Sequence, residues 1–242
     1  MNLSKNHIKL ITSLQQKKYR QKHNLFVAEG LKVVEELLNS SFVLELIFAT
    51  DDCALELPSD KKIGITALEL KKISQLKTPN KVLALFQIPL EKEIVTDGLI
   101  VALDAINDPG NLGTIIRLCD WFGVSQLICS LDTVHCYNQK VVQASMGSLT
   151  RVSVVYTDLK SFIEEANMPV FVADMDGTNM YTSAFPKKGI LVMGNEANGI
   201  SKEVMGMAQH KVSIPQFGEE QKTESLNVAT ATAILLSEFK RN

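Results

Sequence analysis

The sequence predicts an α/β protein in two parts, a small α/β domain over residues 1–90 and a parallel-sheet domain over residues 91–242. From Leu99 onward, short β-branched or aliphatic runs alternate with helical patterns, the signature of a parallel sheet covered by helices on both faces. Pro89 and the charged residues Glu91, Lys92 and Glu93 interrupt the pattern before that point, and residues 89–98 read as a linker. A chain of 242 residues, 45% of them hydrophobic, is long enough to bury a core in each part.

The elements follow in order. Ser4 is placed to cap a helix in which Ile8, Leu10, Ile11 and Leu14 recur at helical spacing. Between Met1 and Ala28 the chain carries Lys5, Lys9, Lys17, Lys18, Arg20 and Lys22 and no Asp or Glu, so this stretch has an apolar face and a cationic one. A cationic face suits contact with RNA phosphates, and a solvated helix face is the alternative. A helix over Gly30 to Leu38, a strand over Val43 to Ala49, a short strand near Ile63 to Ile65, a helix capped by Thr66 and a strand over Val82 to Ile88 complete the small domain. In the second domain strands are expected at 99–106, 126–130, 151–156, 170–174, 190–194 and 211–214.

Composition excludes several classes. No apolar run approaches the roughly 20 residues that span a bilayer, and no apolar stretch follows Lys5 and Lys9, so neither a membrane segment nor a secretion signal is expected. Cys53, Cys119, Cys129 and Cys136 form no CxxC pair and show no metal-ligand spacing with His7, His23, His135 or His210. Reduced thiols, no metal and a cytoplasmic location are the expectation. A net charge of −2 argues against non-specific coating of nucleic acid and leaves room for a local basic patch.

Ligand crevices of parallel sheets lie beyond the carboxyl ends of the strands, so the chemistry is sought in the loops that follow them. Asn107-Asp108-Pro109-Gly110-Asn111-Leu112-Gly113 follows the first strand of the second domain and opens a helix expected from about Thr114 to Phe122. Pro and two glycines there imply a tight turn, and the N–H groups at the helix start can face an anion. Arg117, one turn into that helix, can reach back over the loop. Gly194-Asn195-Glu196-Ala197-Asn198-Gly199 makes a turn able to pass its backbone close to a flat ligand. The third loop runs from Ile214-Pro215 to Glu224-Ser225-Leu226-Asn227, where a long helix begins with Ser225 or Thr223 as its cap. Its polar middle, Gln216 to Ser225, suits a lid or a substrate contact.

In order and spacing these loops resemble the motifs of the SpoU/TrmH family of RNA 2′-O-ribose methyltransferases, within the SPOUT superfamily. The matching segments are Asn-x-Gly with Arg117 in the following helix, Gly-Asn-Glu-x-x-Gly-Ile from Gly194, and Ile214-Pro215 followed by Ser225-Leu226-Asn227-Val228. The resemblance extends through Ala144-Ser145-Met146-Gly147 and through Ser4 to Gly30, and so covers nearly the whole chain. Ala197 stands where many relatives carry Gly, and its methyl group narrows the turn without abolishing it.

This resemblance implies a deep trefoil knot in the second domain, which general topology rules alone argue against. It implies S-adenosyl-L-methionine as cofactor, its adenosine gripped by main-chain groups at Gly194, Ile214 and Leu226, with Met193, Asn195 and Pro215 alongside. Arg117 becomes the central catalytic residue and Asn111 a positioning partner, with Glu196, Ser225 and Asn227 completing the site. It also implies a homodimer joined through knotted-domain helices, for which the small and apolar residues of Leu226 to Phe239 are suited. The first domain resembles the substrate-binding domain of the rRNA-directed branch. Methylation of a ribose 2′-hydroxyl in large-subunit rRNA is the leading expectation, with tRNA as the alternative substrate. From another class, the alternative is a non-catalytic, ribosome-associated RNA-binding protein. A nicotinamide or nucleoside-triphosphate protein on a similar sheet is opposed by the lack of GxGxxG after the first strand and of GxxxxGK[ST].

Overall fold

A computed structural model describes residues 3–218, 220 and 225–241. The chain forms two compact units, one of residues 1–90 with 135–150, the other of residues 91–134 with 151–242.

In the first unit the Ser4 hydroxyl accepts from the His7 N–H at 3.1 Å while the His7 ring accepts from the Ser4 N–H at 3.3 Å, closing the start of α1 (Lys5–Ser13). The expected single basic helix is broken after Leu14, and α2 (Lys17–His23) follows. Next comes β1 (Leu25–Glu29), a strand absent from the sequence expectation. All five of its residues are buried, so no polar–apolar alternation marks it. Gly30, at a φ of 84°, leads into α3 (Leu31–Leu38). Then follow β2 (Leu44–Ala49), β3 (Lys62–Gly64), α4 (Ala67–Ile73) with the expected Thr66 cap, and β4 (Val82–Gln87). The strand order is β1-β4-β2-β3, with β4 antiparallel to both neighbours and β2 parallel to β3. Ile11 and Leu14 pack with Phe48, Ile63, Leu83 and Leu85 in its core.

Arg20 does not belong to the cationic surface. It is 3% exposed, and its guanidinium donates to the carbonyls of Leu14 at 2.9 Å and Gln15 at 2.8 Å, tying down the end of α1. The break between the helices turns this position inward, which a single continuous helix would not do. Lys5, Lys9, Lys17, Lys18 and Lys22 are exposed.

The second unit begins with β5 (Leu99–Asp104), α5 (Pro109–Trp121) and β6 (Gln126–Cys129). After α6 (Gln139–Ser145), which belongs to the first unit, come β7 (Ser153–Tyr156), α7 (Leu159–Ala166), β8 (Val170–Asn179), β9 (Gly189–Gly194), α8 (Lys202–Met205), β10 (His210–Ser213) and α9 (Val228–Phe239). The six strands, in the order β10-β8-β9-β5-β6-β7, are all parallel. Ile100, Ala102, Ile190 and Val192 face one side with Phe162 and Ile163 of α7 and Val204 of α8. Period-two alternation turns Val101, Leu103 and Leu191 to the other side, where α5 and α9 pack together and α9 meets β9.

Two helix starts differ from expectation. α5 begins at Pro109 rather than near Thr114, because Asp108 caps it by accepting from the Asn111 N–H at 2.8 Å and proline is tolerated in the first turn. Gly110, Asn111 and Gly113 are therefore helical, not parts of a turn. α9 is capped by Asn227, whose side-chain oxygen accepts from Ala229 N at 3.0 Å and Thr230 N at 3.3 Å, and not by Ser225. Thr223 lies outside the described residues.

Residues 135–150 pack within the first unit around a buried charge. Glu29, 3% exposed, accepts from Ser74 Oγ, from Gln75 N at 2.9 Å and from Gln139 Nε2, so its carboxylate is compensated by three donors. The Phe26 and Tyr137 rings meet with centroids 4.7 Å apart. Burial, reinforced by the positive charges of Arg20 and Lys17, pushes the His135 pKa down to about 4. The unfolded chain then takes up this proton near its ordinary value of 6.5 and the folded protein only near 4. Stability from this group is present above pH 6.5 and is lost progressively as pH falls toward 4. Urea unfolding of wild type and His135→Gln is expected to show a stability difference that shifts against the wild type across that window; a pH-independent difference would refute it.

Candidate active site

The parallel sheet supplies a crevice where its connections diverge. The chain leaves β5 toward β6 on one side and leaves β9 toward β10 on the other, so the carboxyl ends of β5 and β9 flank the switch point. Loops from both ends meet there.

After β9 the backbone folds into a tight turn closed by hydrogen bonds from Asn195 N to Gly199 O at 3.0 Å and from Gly199 N to Asn195 O at 2.8 Å. A Cβ on Gly194 would lie 2.5 Å from the Gly199 carbonyl carbon and 2.6 Å from Ile200 N, so the close approach requires glycine. The Asn195 side chain is spent on the turn itself. Its Nδ2 donates to Ala105 O at 2.7 Å, and its Oδ1 accepts from Ala197 N at 2.8 Å and Asn198 N at 3.1 Å. Ala105 takes up a φ of 57° and donates its N–H to Ser130 Oγ at 2.8 Å. Beside it the buried Asp104 carboxylate accepts from Ser201 N at 2.8 Å. Asp104 and Ser130 were absent from the sequence expectation. Their signal is a polar residue closing an apolar strand at the carboxyl edge.

Three expected site residues come together. Asn111 Nδ2 donates to Glu196 Oε1, while Asn227 Nδ2 donates to Asn111 Oδ1 at 2.9 Å and to Glu196 Oε1 at 3.4 Å. Asn111 lies in the first turn of α5 and Asn227 caps α9, so two helix N-termini, each with its partial positive charge, converge on the Glu196 carboxylate.

Arg117 is not bonded into this trio. It lies six residues further along α5, about 9 Å along the axis at ~1.5 Å per residue, and is exposed. Its guanidinium makes no hydrogen bond or ion pair to any described residue, and it is open to an anionic ligand. Ser225, two residues before Asn227, is exposed and likewise not bonded to the trio.

The residues expected to hold the cofactor divide in two. Met193 is 2% exposed within β9 and its side chain is core, so only its main chain borders the crevice. Ile214 and Pro215 follow the end of β10 and are half-buried, and Leu226, 45% exposed, precedes α9. Main-chain groups of Ile214 and Leu226 thus stand outside the sheet and helix ladders. A glycine cradle that no Cβ could share, free main-chain groups and the exposed apolar Leu226 fit a flat nucleoside with few charged contacts.

The SpoU rRNA Methylase family model matches residues 98–237, and the MRM3-like substrate binding domain model matches residues 5–84. The 23S rRNA (guanosine(2553)-2′-O)-methyltransferase RlmP of Bacillus subtilis (strain 168) is 31% identical over 239 residues, covering 92% of this chain and 91% of that protein. The mitochondrial rRNA methyltransferase 3 of Xenopus laevis is 30% identical over 69% of this chain and 44% of its own length. Among solved structures, a protein assigned to the TrmH family of RNA methyltransferases from Porphyromonas gingivalis is similar with a TM-score of 0.89 at 37% identity, over 100% of this chain and 99% of that one. An AdoMet-bound rRNA methyltransferase from Sinorhizobium meliloti gives 0.86 at 29% identity, over 100% and 96%. Motifs, sheet order and similarity along nearly its full length agree, and the chain belongs to the SpoU rRNA methylase family.

Proposed function

We propose that this protein is an S-adenosylmethionine-dependent methyltransferase acting on a ribose 2′-hydroxyl of large-subunit rRNA. The observation that carries the reading is the bonding of Asn111, Glu196 and Asn227, from three separate segments, at the sheet's switch point. The cofactor, when bound, supplies an electrophilic methyl group on sulfur. Main-chain groups at Gly194, Ile214 and Leu226 would hold its adenosine. The trio ties the α5 and α9 starts to the turn by hydrogen bonds, and such alignment can supply several kcal/mol of barrier reduction.

Arg117 is the fixed positive charge facing the substrate. Its guanidinium offers only donors, which suits it to stabilise the developing alkoxide and to hold a phosphate. The proton passes to water or to a phosphate oxygen. Calorimetry with S-adenosylmethionine, followed by mapping of ribose methylation on a 23S rRNA transcript, tests the assignment. Binding plus one methylated ribose is expected; methylation of tRNA alone would replace the substrate, and no cofactor binding would end the reading.

The exposed cations of α1 and α2, within the segment resembling a substrate-binding domain, are read as an RNA face that contacts phosphates and shape. Lys17→Glu with Lys22→Glu is expected to raise the RNA Kd by about 10-fold or more at low salt and to reduce the salt slope by about two. Gel-shift or anisotropy titrations at several salt concentrations check this, and an unchanged slope returns these lysines to a solvated surface.

A homodimer and a trefoil knot belong to the same reading. Supporting the dimer, Trp121 at the end of α5 is 84% exposed and Ala231, Ala233 and Ile234 of α9 are only half-buried. A monomeric mass by light scattering at micromolar concentration would remove it. Supporting the knot, β9 enters between β8 and β5, and the chain returns from the outer strand β10 to place Asn227 beside Asn111.

A further inference from the structure

Two aromatic side chains stand bare beside the crevice and have no part in the chemistry above. Phe217 is 82% exposed and Tyr181 51% exposed, and their ring centroids lie 6.4 Å apart with planes inclined at 36°. Single exposed apolar residues are ordinary on protein surfaces. Two rings from distant segments that meet and still face water are not, because contact between them gives no reason for the remaining faces to stay uncovered.

Their placement is built into the sheet. Asn179 ends β8 and is the register partner of Ser213, which ends β10. Tyr181 follows Asn179 by two residues, and its N–H donates to Asn179 Oδ1 at 2.9 Å. Thr182 Oγ1 and Ser183 Oγ both donate to Asn179 O at 3.0 Å, and Met180, 1% exposed, anchors the turn in the core. Phe217 follows Ser213 by four residues, just past Ile214 and Pro215 of the cofactor segment. Both rings therefore sit at the carboxyl edge that carries the active site. In the sheet, β8 adjoins β9 and β10 adjoins β8, so the strands that lead into the two rings neighbour the strand that leads into the Glu196 turn.

We propose that Tyr181 and Phe217 form a stacking platform for an unpaired nucleobase at, or one position from, the methylated ribose. This rests on the RNA-methylation reading above. A ribose presented to Arg117 and Asn111 carries its base and its neighbours across the same edge, and no other exposed ring pair is found there among the described residues. Single-stranded RNA is recognised by stacking splayed bases on aromatic faces, a contact that every base can make. Continuity with the active-site edge favours a base over a protein partner.

The test uses the full chain and a 23S rRNA transcript that the wild type methylates, with matching transcripts abasic at the methylated nucleotide or either neighbour. Tyr181→Ala and Phe217→Ala are each expected to raise the KM for RNA about 10-fold. The calorimetric Kd for S-adenosylmethionine and the melting temperature should stay unchanged, and Phe217→Tyr should restore the KM. One abasic transcript should weaken the wild type by the same factor and add nothing to the loss in Phe217→Ala. An unchanged KM, or losses that simply add, would overturn the platform. A raised cofactor Kd would instead assign the rings to the adenosine pocket and also overturn it. Failure of the wild type to methylate any transcript is a separate outcome, which removes the functional reading itself.

Discussion

Arg117→Ala should lower turnover by about 10²-fold or more while leaving the affinity for S-adenosylmethionine and the melting temperature near those of the wild type. The size follows from its role, since removing one donor that stabilises developing charge costs about that much in enzymes. The selectivity follows from its place. Arg117 is exposed and makes no bond to any described residue, so its loss leaves no buried partner unsatisfied. Single-turnover methylation, read beside calorimetry, separates the two effects. Near-normal turnover would remove Arg117 from the chemistry, and a lost cofactor affinity would move it into the binding site. Arg117→Lys keeps the charge but not the planar fork, and should recover only part of the rate.

Gly194→Ala should abolish cofactor binding, raising its Kd by two orders of magnitude or more. The added methyl would lie 2.5 Å from the backbone of Gly199, a distance that only a backbone shift can relieve. That shift pulls on Asn195, whose amide holds the turn to Ala105, and through the next residue on Glu196 and its two asparagine partners. Gly199→Ala makes the control. Gly199 has a φ of 67° with open space around its Cβ position, so the substitution costs only backbone strain, about 1 kcal/mol. Calorimetric titration of both variants checks the contrast. Equal affinities would show that the narrow turn has no part in holding the nucleoside.

Much of the frame could be read from local pattern. Every strand expected after Leu99 is present, because parallel strands buried on both faces read as unbroken aliphatic runs and the helices between them carry their own period. The Ser4 and Thr66 caps were legible for the same reason, since a cap involves residues only three apart. The start of α5 was not. Two glycines outweighed Asp108-Pro109, although Asp before Pro is itself a helix start signal. β1 lacked alternation, and Arg20 read as a surface cation until the break after Leu14 turned it inward onto two carbonyls.

By itself the sequence determined the strands of the parallel sheet, the cationic stretch at the start and the residue types that the chemistry needs, whereas residues 135–150, expected in the second part, belong to the first unit. The features it determined are properties of neighbours within about four positions, where backbone geometry and hydrophobic period act directly. Only the tertiary structure decided which of those residues meet. Asn111 reaches Glu196 across 85 positions and Asn227 across 116, because parallel strands gather their carboxyl ends on one edge whatever their separation along the chain. It decided too that Arg117 would remain open to ligand and Arg20 would be buried, since burial depends on what packs against a side chain.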